Sequence, residues 1–288
     1  MLKLYLSFIK FSHTIFALPF ALIGFYLAYV KFQPNNLLLK FLLVLLAMVF
    51  ARSAAMAFNR YIDRDIDANN PRTKNREIPS GKIPPKTALF FILLNIFGFI
   101  ASAYFINNLC FYLAPLALFI ILGYSYTKRF TWLCHYVLGL GLALAPIGAY
   151  LSISGSFDYL TIILGICVFF WVSGFDIIYA LQDASFDISF QLKSIPAKFG
   201  VKNAIIISRF SHLLSAFFLF LGVLLMNHQY HEVGLLSWFA FSSFILMLIR
   251  QHLLVNENDL SKINQAFFES NGLASILLGS LVIIDLFY

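Results

Sequence analysis

Long apolar runs alternate with short polar links along the whole sequence. Each run is about 20 residues long, the length at which an α-helix crosses the hydrocarbon core of a bilayer. Because a helix satisfies its own backbone hydrogen-bonding groups, this pattern predicts an all-α integral membrane protein. No internal repeat is evident, so we expect one membrane domain over residues 1–288. The nine predicted spans lie at roughly 13–31, 39–60, 87–106, 109–125, 135–153, 159–182, 203–226, 232–250 and 271–288.

The composition strengthens this prediction and argues against a soluble domain. Of the 288 residues, 61% are hydrophobic and only 11% are charged. Most of the 20 Lys and Arg residues lie in the N-terminal segment and in the links after spans 2, 4, 6 and 8. Since basic links stay on the cytoplasmic side, we expect these links there and the C-terminus opposite. The net charge of +7 then reflects topology and attraction to a lipid bilayer, and no base-reading motif indicates nucleic acid as a partner.

A polar stripe ends the second predicted span. Asn59, Asp63 and Asp67 are spaced four residues apart, so a helix places them on one face. Arg52 lies seven residues before Asn59, on the same stripe but about two turns deeper in the apolar run. An arginine at such depth is costly unless it faces a cavity or a partner, so this stripe is a candidate functional face.

A second acidic stripe ends the sixth predicted span. Asp176, Asp183 and Asp187 are spaced seven and four residues apart, and Tyr179 lies on the neighbouring edge. Both stripes end on the same predicted side of the membrane. Two facing rows of carboxylates would repel each other unless cations lay between them. Hard divalent cations, Mg²⁺ above all, favour oxygen ligands of this kind and often bridge to phosphates.

Basic side chains accompany both acidic stripes. Arg72, Lys74 and Arg76 follow the first stripe, Lys128 ends the fourth span, and Lys193 follows the second stripe. Arginine and lysine bind phosphate oxygens through charge-assisted hydrogen bonds. Carboxylates, Mg²⁺ and basic groups together make a diphosphate site, and the apolar helices can house a hydrocarbon tail. The pattern therefore suggests loss of diphosphate from a membrane-soluble allylic lipid.

Five motifs carry a specific resemblance over essentially the whole chain. In order they read N-R-Y-I-D-R-D-I-D, R-T-K-N-R-E-I-P-S-G, Y-S-Y-T-K-R-F-T, F-D-I-I-Y-A-L-Q-D-A-S-F-D and K-S-I-P. With these motifs the chain resembles the UbiA superfamily of intramembrane prenyltransferases. It departs from the family pattern at Arg60, where the family usually has Asp.

The resemblance implies a bundle of nine helices around a central cavity and Mg²⁺-dependent transfer of a prenyl group to an aromatic acceptor. By motif match, one Mg²⁺ is held by Asn59, Asp63 and Asp67. The other is held by Asp183 and Asp187. Among these ligands, Asp63 and Asp183 are the ones we expect catalysis to depend on most.

The resemblance also assigns roles outside the metal ligands. Asp176 is expected to orient ligands or accept a proton, and Tyr179 to steady the carbocation. Arg52, deeper on its stripe, is the candidate contact for an aromatic carboxylate. The candidate contacts for the diphosphate are Arg72, Lys128 and Lys193.

The acceptor stays open between two hydroxylated aromatic acids. The chain is similar to bacterial sequences of the 4-hydroxybenzoate polyprenyltransferase type. The N-R variant of the first motif and the late segment A-F-F-E-S-N-G resemble the branch that serves the futalosine route to menaquinone. This favours 1,4-dihydroxy-6-naphthoate over 4-hydroxybenzoate, the ubiquinone precursor. We expect a bacterial inner-membrane enzyme with its active site toward the cytoplasm.

A different class, an intramembrane cation or proton transporter, would also use two aspartate stripes. Transporters place such acids near the bilayer midplane, often in broken or repeated helices. Here the acids gather at one membrane face beside basic residues, which favours the enzyme.

Overall fold

The computed structural model describes residues 2–10, 14–231 and 233–288, and this part of the chain is helical. Among these described residues, the only β pairing is one isolated bridge between Asn256 and Asp259. A 3₁₀ turn over Leu181–Asp183 and a π-helical turn over Ala266–Ser270 join neighbouring helices. The α-helices are α1 (Leu2–Phe8), α2 (Thr14–Phe32), α3 (Leu37–Ile62), α4 (Arg64–Asn69), α5 (Pro85–Ile106), α6 (Asn108–Thr127), α7 (Cys134–Ser154), α8 (Tyr159–Ala180), α9 (Ala184–Ser189), α10 (Ile195–Gln229), α11 (Leu235–Leu254), α12 (Ile263–Gln265) and α13 (Asn271–Asp285).

The prediction of an all-α membrane protein is confirmed. Within the described ranges, eight helical segments are long and apolar enough to cross a bilayer. The remaining predicted span, the first one at 13–31, coincides with α2, whose described apolar part, Phe16–Phe32, is shorter. Large apolar side chains such as Phe97, Phe119 and Leu253 are more than two-thirds exposed, as expected for helices that face lipid.

The predicted span 203–226 was too short at its start. Helix α10 begins at Ile195, because Ser194 caps it by accepting the backbone N–H of Ala197 and a proline follows in the first turn. The helix is interrupted at Gly200, whose φ of 76° lies in the region that favours glycine. The apolar pattern therefore begins only after this interruption, although the helix has already started.

The contacts divide the chain into two compact units. The first comprises residues 1–14 and 36–126, and in it α3 packs along α5. A buried cluster brings α1, α3, the loop before α5 and α5 together, which fixes that loop against the end of α3. Its members are Phe8, Ile9, Ala57, Ile78, Ile83, Ala88 and Ile92.

The second unit comprises residues 15–35 and 127–288. Helix α8 packs against both α7 and α10, and its Trp171 is fully buried beside Phe20 and Phe244. Helices α2 and α7 approach so closely at Gly24 that a Cβ there would collide with the carbonyl of Pro146. The end of α8 is packed as well, since Ile177 and Ile178 are fully buried, and this end carries the second acidic stripe. The prediction of one membrane domain over residues 1–288 is not tested by this division.

Candidate active site

The first stripe forms where α3 passes into α4 in the first unit. Helix α3 ends at Ile62, and Asp63 forms the junction, with its N–H donating to the carbonyl of Asn59. The side chain of Asn59 donates to Asp63 Oδ2 at 3.2 Å, and the N–H of Asp67 donates to the carbonyl of Asp63. The carboxylates of Asp63 and Asp67 are both buried. The three oxygen-bearing side chains therefore follow one another along the chain turn by turn, as their spacing predicts.

Arg76 closes over the end of this stripe. Its Nη1 atom lies 2.9 Å and 2.8 Å from the two carboxylate oxygens of Asp67. The loop that carries it is held down by Thr73, whose hydroxyl donates to the carbonyl of Asp67. Arg72, the predicted phosphate contact, is exposed on the same loop, and its backbone N–H donates to Asn70 Oδ1. Prediction from sequence missed the contact of Arg76, although the motif contains this residue.

Arg60 does not belong to the stripe. It is one residue after Asn59 and so points about 100° away. Its guanidinium forms a buried ion pair with Glu77 and lies over the ring of Phe8. Ser7 also donates to Glu77, at 2.7 Å. Arg60, the residue that departs from the family pattern, thus has an acidic partner, Glu77, within the same unit.

A group of positive charges surrounds Lys10. Burial lowers the pKa of Lys10, and the positive charges of Arg60, Arg76 and Arg72 lower it further. These charges therefore lie close enough to act on one another. Arg60 and Arg76 have acidic partners in Glu77 and Asp67, and Lys10, which prediction from sequence did not consider, adds a positive charge near them.

Arg52 lies on α3, half-buried, with Nη2 donating to the carbonyl of Lys10 at 3.4 Å. Its Nε is buried, and within the part of the chain that the structure describes no acceptor lies within hydrogen-bond distance of it. A buried guanidinium N–H without an acceptor is costly, and a ligand carboxylate would satisfy it.

The second stripe forms at the end of α8 in the second unit. Asp176 and Tyr179 lie in the last turns of α8, Asp183 ends the 3₁₀ turn, and Asp187 lies in α9. Asp187 is buried, and its Oδ2 accepts a hydrogen bond from the hydroxyl of Ser194 at 2.8 Å. The ring of Tyr179 packs on Phe267 at a centroid distance of 4.3 Å, in the late segment A-F-F-E-S-N-G.

The two predicted lysines lie beside this second stripe. The backbone N–H of Lys193 donates to the carbonyl of Lys128 at 2.7 Å, which joins the link before α7 to the link before α10. The ammonium of Lys193 is exposed and donates to the carbonyl of Phe130. Lys128 is close enough to act electrostatically on Asp187. The second stripe therefore also has cationic neighbours.

His135 is the partner of Asp176. Its Nδ1 lies 2.7 Å from Asp176 Oδ2, and its Nε2 accepts the N–H of Ile195 at 3.4 Å. The imidazole is buried in the first turn of α7. No motif pointed to this histidine; its position four residues after the K-R-F-T element was the only signal.

Comparison with known proteins decides the family. Residues 17–273 match the model of the UbiA prenyltransferase family. The chain belongs to the UbiA prenyltransferase family. It is therefore a prenyltransferase, which supports the enzyme over the alternative of an ion transporter.

Several relatives resemble this UbiA family member. The structure of a UbiA homolog from Aeropyrum pernix K1 superposes with a TM-score of 0.84 at 31% identity and covers 95% of this chain and 98% of that one. A UbiA homolog from Archaeoglobus fulgidus, solved with GPP and Mg²⁺, shares the fold with a TM-score of 0.72 at 20% identity, covering 99% of this chain and 100% of that one. The 4-hydroxybenzoate octaprenyltransferase of Vesicomyosocius okutanii subsp. Calyptogena okutanii is 29% identical over 85% of this chain and 88% of its own length.

The oxygen atoms of the two stripes of this UbiA family member are of the chemical kind that Mg²⁺ prefers as ligands. The amide of Asn59 and the carboxylates of Asp63, Asp67, Asp183 and Asp187 supply only hard oxygen atoms. Among the described residues of either stripe, no three carboxylate, imidazole or thiolate groups already form a metal cluster. In the first stripe this agrees with the position of Arg76, which neutralises Asp67 in the structure.

Proposed function

We propose that this prenyltransferase moves a polyprenyl group from polyprenyl diphosphate to a hydroxylated aromatic acid in quinone biosynthesis. The observation that carries the proposal is that each row of carboxylates ends beside cationic side chains. Asp67 contacts Arg76, and Asp187 lies within electrostatic range of Lys128. A diphosphate with its metal needs both kinds of group at once, whereas an alkali cation needs only the acids.

The metal ligands of the proposal are those of the two stripes. Asn59, Asp63 and Asp67 would hold one Mg²⁺, and Asp183 with Asp187 a second. When bound, Mg²⁺ supplies Lewis-acid stabilisation of the negative charge on the departing diphosphate. A UbiA homolog of the same fold has been solved with GPP and Mg²⁺, which supports this choice of metal.

The basic side chains would bind the phosphate oxygens. Arg72, Lys128 and Lys193 are the proposed contacts, and Lys10 adds its charge to the region of Arg72. Their positive charges favour the transition state, in which negative charge accumulates on the diphosphate as the C–O bond breaks. Apolar side chains around the tail exclude water from the allylic cation.

The acceptor acid would be bound and deprotonated by other residues. Arg52 meets the acid through its buried N–H, and Tyr179 steadies the allylic cation with its ring. The acceptor ring attacks the allylic carbon, and a ring hydroxyl makes it electron-rich enough to do so. Asp176 then takes the proton from the ring carbon, and the C–H electron pair restores aromaticity.

Two acids are the proposed acceptors. The similar octaprenyltransferase is named for 4-hydroxybenzoate. The motif variants of this chain, the Arg60 substitution and the A-F-F-E-S-N-G segment, favour 1,4-dihydroxy-6-naphthoate. Both acids carry the carboxylate that Arg52 requires. The cytoplasmic side of a bacterial inner membrane is the proposed location of the site, following the distribution of basic links.

The test uses membranes that contain the chain, a polyprenyl diphosphate and each acid in turn, with Mg²⁺ or with excess EDTA. Membranes without the chain are the control. Extraction and mass spectrometry should detect a prenylated acid only when the chain and Mg²⁺ are present. Failure to prenylate either acid would refute the acceptor assignment, and full activity in EDTA would refute the role of the metal.

A further inference from the structure

His135 connects two elements of the second unit through its two ring nitrogens. Nδ1 lies 2.7 Å from Asp176 Oδ2 on α8, and Nε2 lies 3.4 Å from the backbone nitrogen of Ile195 at the start of α10. The imidazole is 3% exposed, so water does not compete strongly for either contact.

The two contacts determine where the proton of His135 resides. A neutral imidazole has one N–H donor and one acceptor nitrogen. Because the N–H of Ile195 can only donate, its contact with Nε2 favours the form in which Nε2 is the acceptor. The proton therefore lies on Nδ1, which donates it to the carboxylate of Asp176. Both nitrogens are used, and the contact holds one oxygen of Asp176 in place.

The residue before Ile195 contacts Asp187, a proposed metal ligand. Ser194 precedes Ile195 and donates from its hydroxyl to Asp187 Oδ2 at 2.8 Å. Two consecutive residues at the start of α10 therefore support both acids. Ser194 contacts Asp187 directly, and the N–H of Ile195 contacts His135, which in turn contacts Asp176. Asp176 keeps a side-chain exposure of 24%, so its carboxylate stays accessible to a ligand.

We infer that His135 is a positioning residue that fixes the carboxylate of Asp176 toward the aromatic acceptor. This inference rests on the proposed function, in which Asp176 takes the ring proton. Without the Nδ1–H contact, Asp176 can rotate away. Loss of the ring proton then slows, so the C–C bond of the ring-attacked intermediate breaks again and returns the allylic cation and the intact acceptor. The longer the cation persists, the more of it is captured by water that enters the site, which forms a C–O bond and releases a proton to solvent.

The experiment compares His135→Gln, which keeps one donor and one acceptor, with His135→Leu, which removes both. Prenylated acid and free diphosphate are measured in the same reaction. For His135→Leu we expect a kcat about 10- to 100-fold lower, a KM for polyprenyl diphosphate within about twofold of wild type, and less product per diphosphate released. His135→Gln should recover most of the rate and most of the product formed per diphosphate released.

A double-mutant cycle separates positioning from a general structural effect. If His135 acts through Asp176, then His135→Leu combined with Asp176→Asn should be no slower than Asp176→Asn alone. Additive losses, or product and diphosphate falling in proportion, would overturn the inference. So would a wild-type rate and coupling in His135→Leu.

A spectroscopic measurement tests the geometry without turnover. In ¹⁵N-histidine-labelled protein in detergent, we expect a neutral imidazole signal with its proton on Nδ1 that is lost in His135→Gln. A proton on Nε2 of that residue, or on both nitrogens, would overturn the assignment. If wild-type protein prenylates neither acid, the proposed function fails, whereas this measurement still decides the contact.

Discussion

Removing the acid from the Arg60–Glu77 pair should destabilise the first unit. In Glu77→Gln, a guanidinium that is 3% exposed loses its carboxylate. Breaking a buried ion pair from one side costs about 3–5 kcal/mol. Glutamine can still accept from Ser7, and the ring of Phe8 lies over the guanidinium in both proteins, so neither contact changes the difference. Because glutamine still places a polar group beside the guanidinium, we expect the lower end of that range, about 3 kcal/mol.

The assay is thermal unfolding of the purified protein in detergent. With about 2 °C lost per kcal/mol for a chain of this size, Glu77→Gln should unfold about 6 °C below wild type. Glu269→Gln is the matched control, because Glu269 pairs with Arg250 at 2.7 Å but its side chain is 53% exposed. An exposed ion pair contributes little, so this control should show no measurable shift.

A second variant tests the cause of the loss. Combining Arg60→Met with Glu77→Gln removes the buried charge together with its partner, so stability should return toward wild type. The reasoning is refuted if the double variant is as unstable as Glu77→Gln, or if Glu77→Gln unfolds within about 1 °C of wild type.

Three further predictions concern activity. Asp63→Ala should lower turnover at least about 100-fold while the protein still inserts into the membrane. Asp65→Ala is the control, because Asp65 is exposed and lies off the stripe, and an equal loss in both variants would contradict the role of the stripe in catalysis. The lowered pKa of Lys10 means that its ammonium is lost at lower pH than an ordinary lysine at 10.5, so the KM for polyprenyl diphosphate should rise earlier in the alkaline range. Lys10→Arg keeps its charge and should remove that rise; identical pH profiles would exclude Lys10 from binding. Arg52→Ala should raise the KM for the acceptor about tenfold, because one charged hydrogen bond is lost, and leave the KM for the diphosphate nearly unchanged. An unchanged KM for the acceptor would show that Arg52 does not bind its carboxylate.

Spacing within one helix was predictable from the sequence, because helix geometry is nearly invariant. The contact from Asn59 to Asp63 follows from their separation of four residues. The burial of Asp67 and Asp187 agrees with the two predicted faces. The apolar runs likewise predicted the membrane helices, since a bilayer imposes the same length on each.

Contacts between distant segments were not predictable from spacing. Arg60 and Glu77 are 17 residues apart, and His135 and Asp176 are 41 apart. Such pairs depend on how a loop folds back or how two helices pack, which no local pattern encodes. The start of α10 was different, since the Ser194 cap and the following proline were visible in the sequence.

The contact between Arg76 and Asp67 has a consequence for biogenesis. A carboxylate that already has a guanidinium on both of its oxygens needs no inorganic ion to offset its charge. The nascent chain can therefore complete this end of its first unit before any cation arrives, and chelators should inhibit turnover without unravelling the polypeptide.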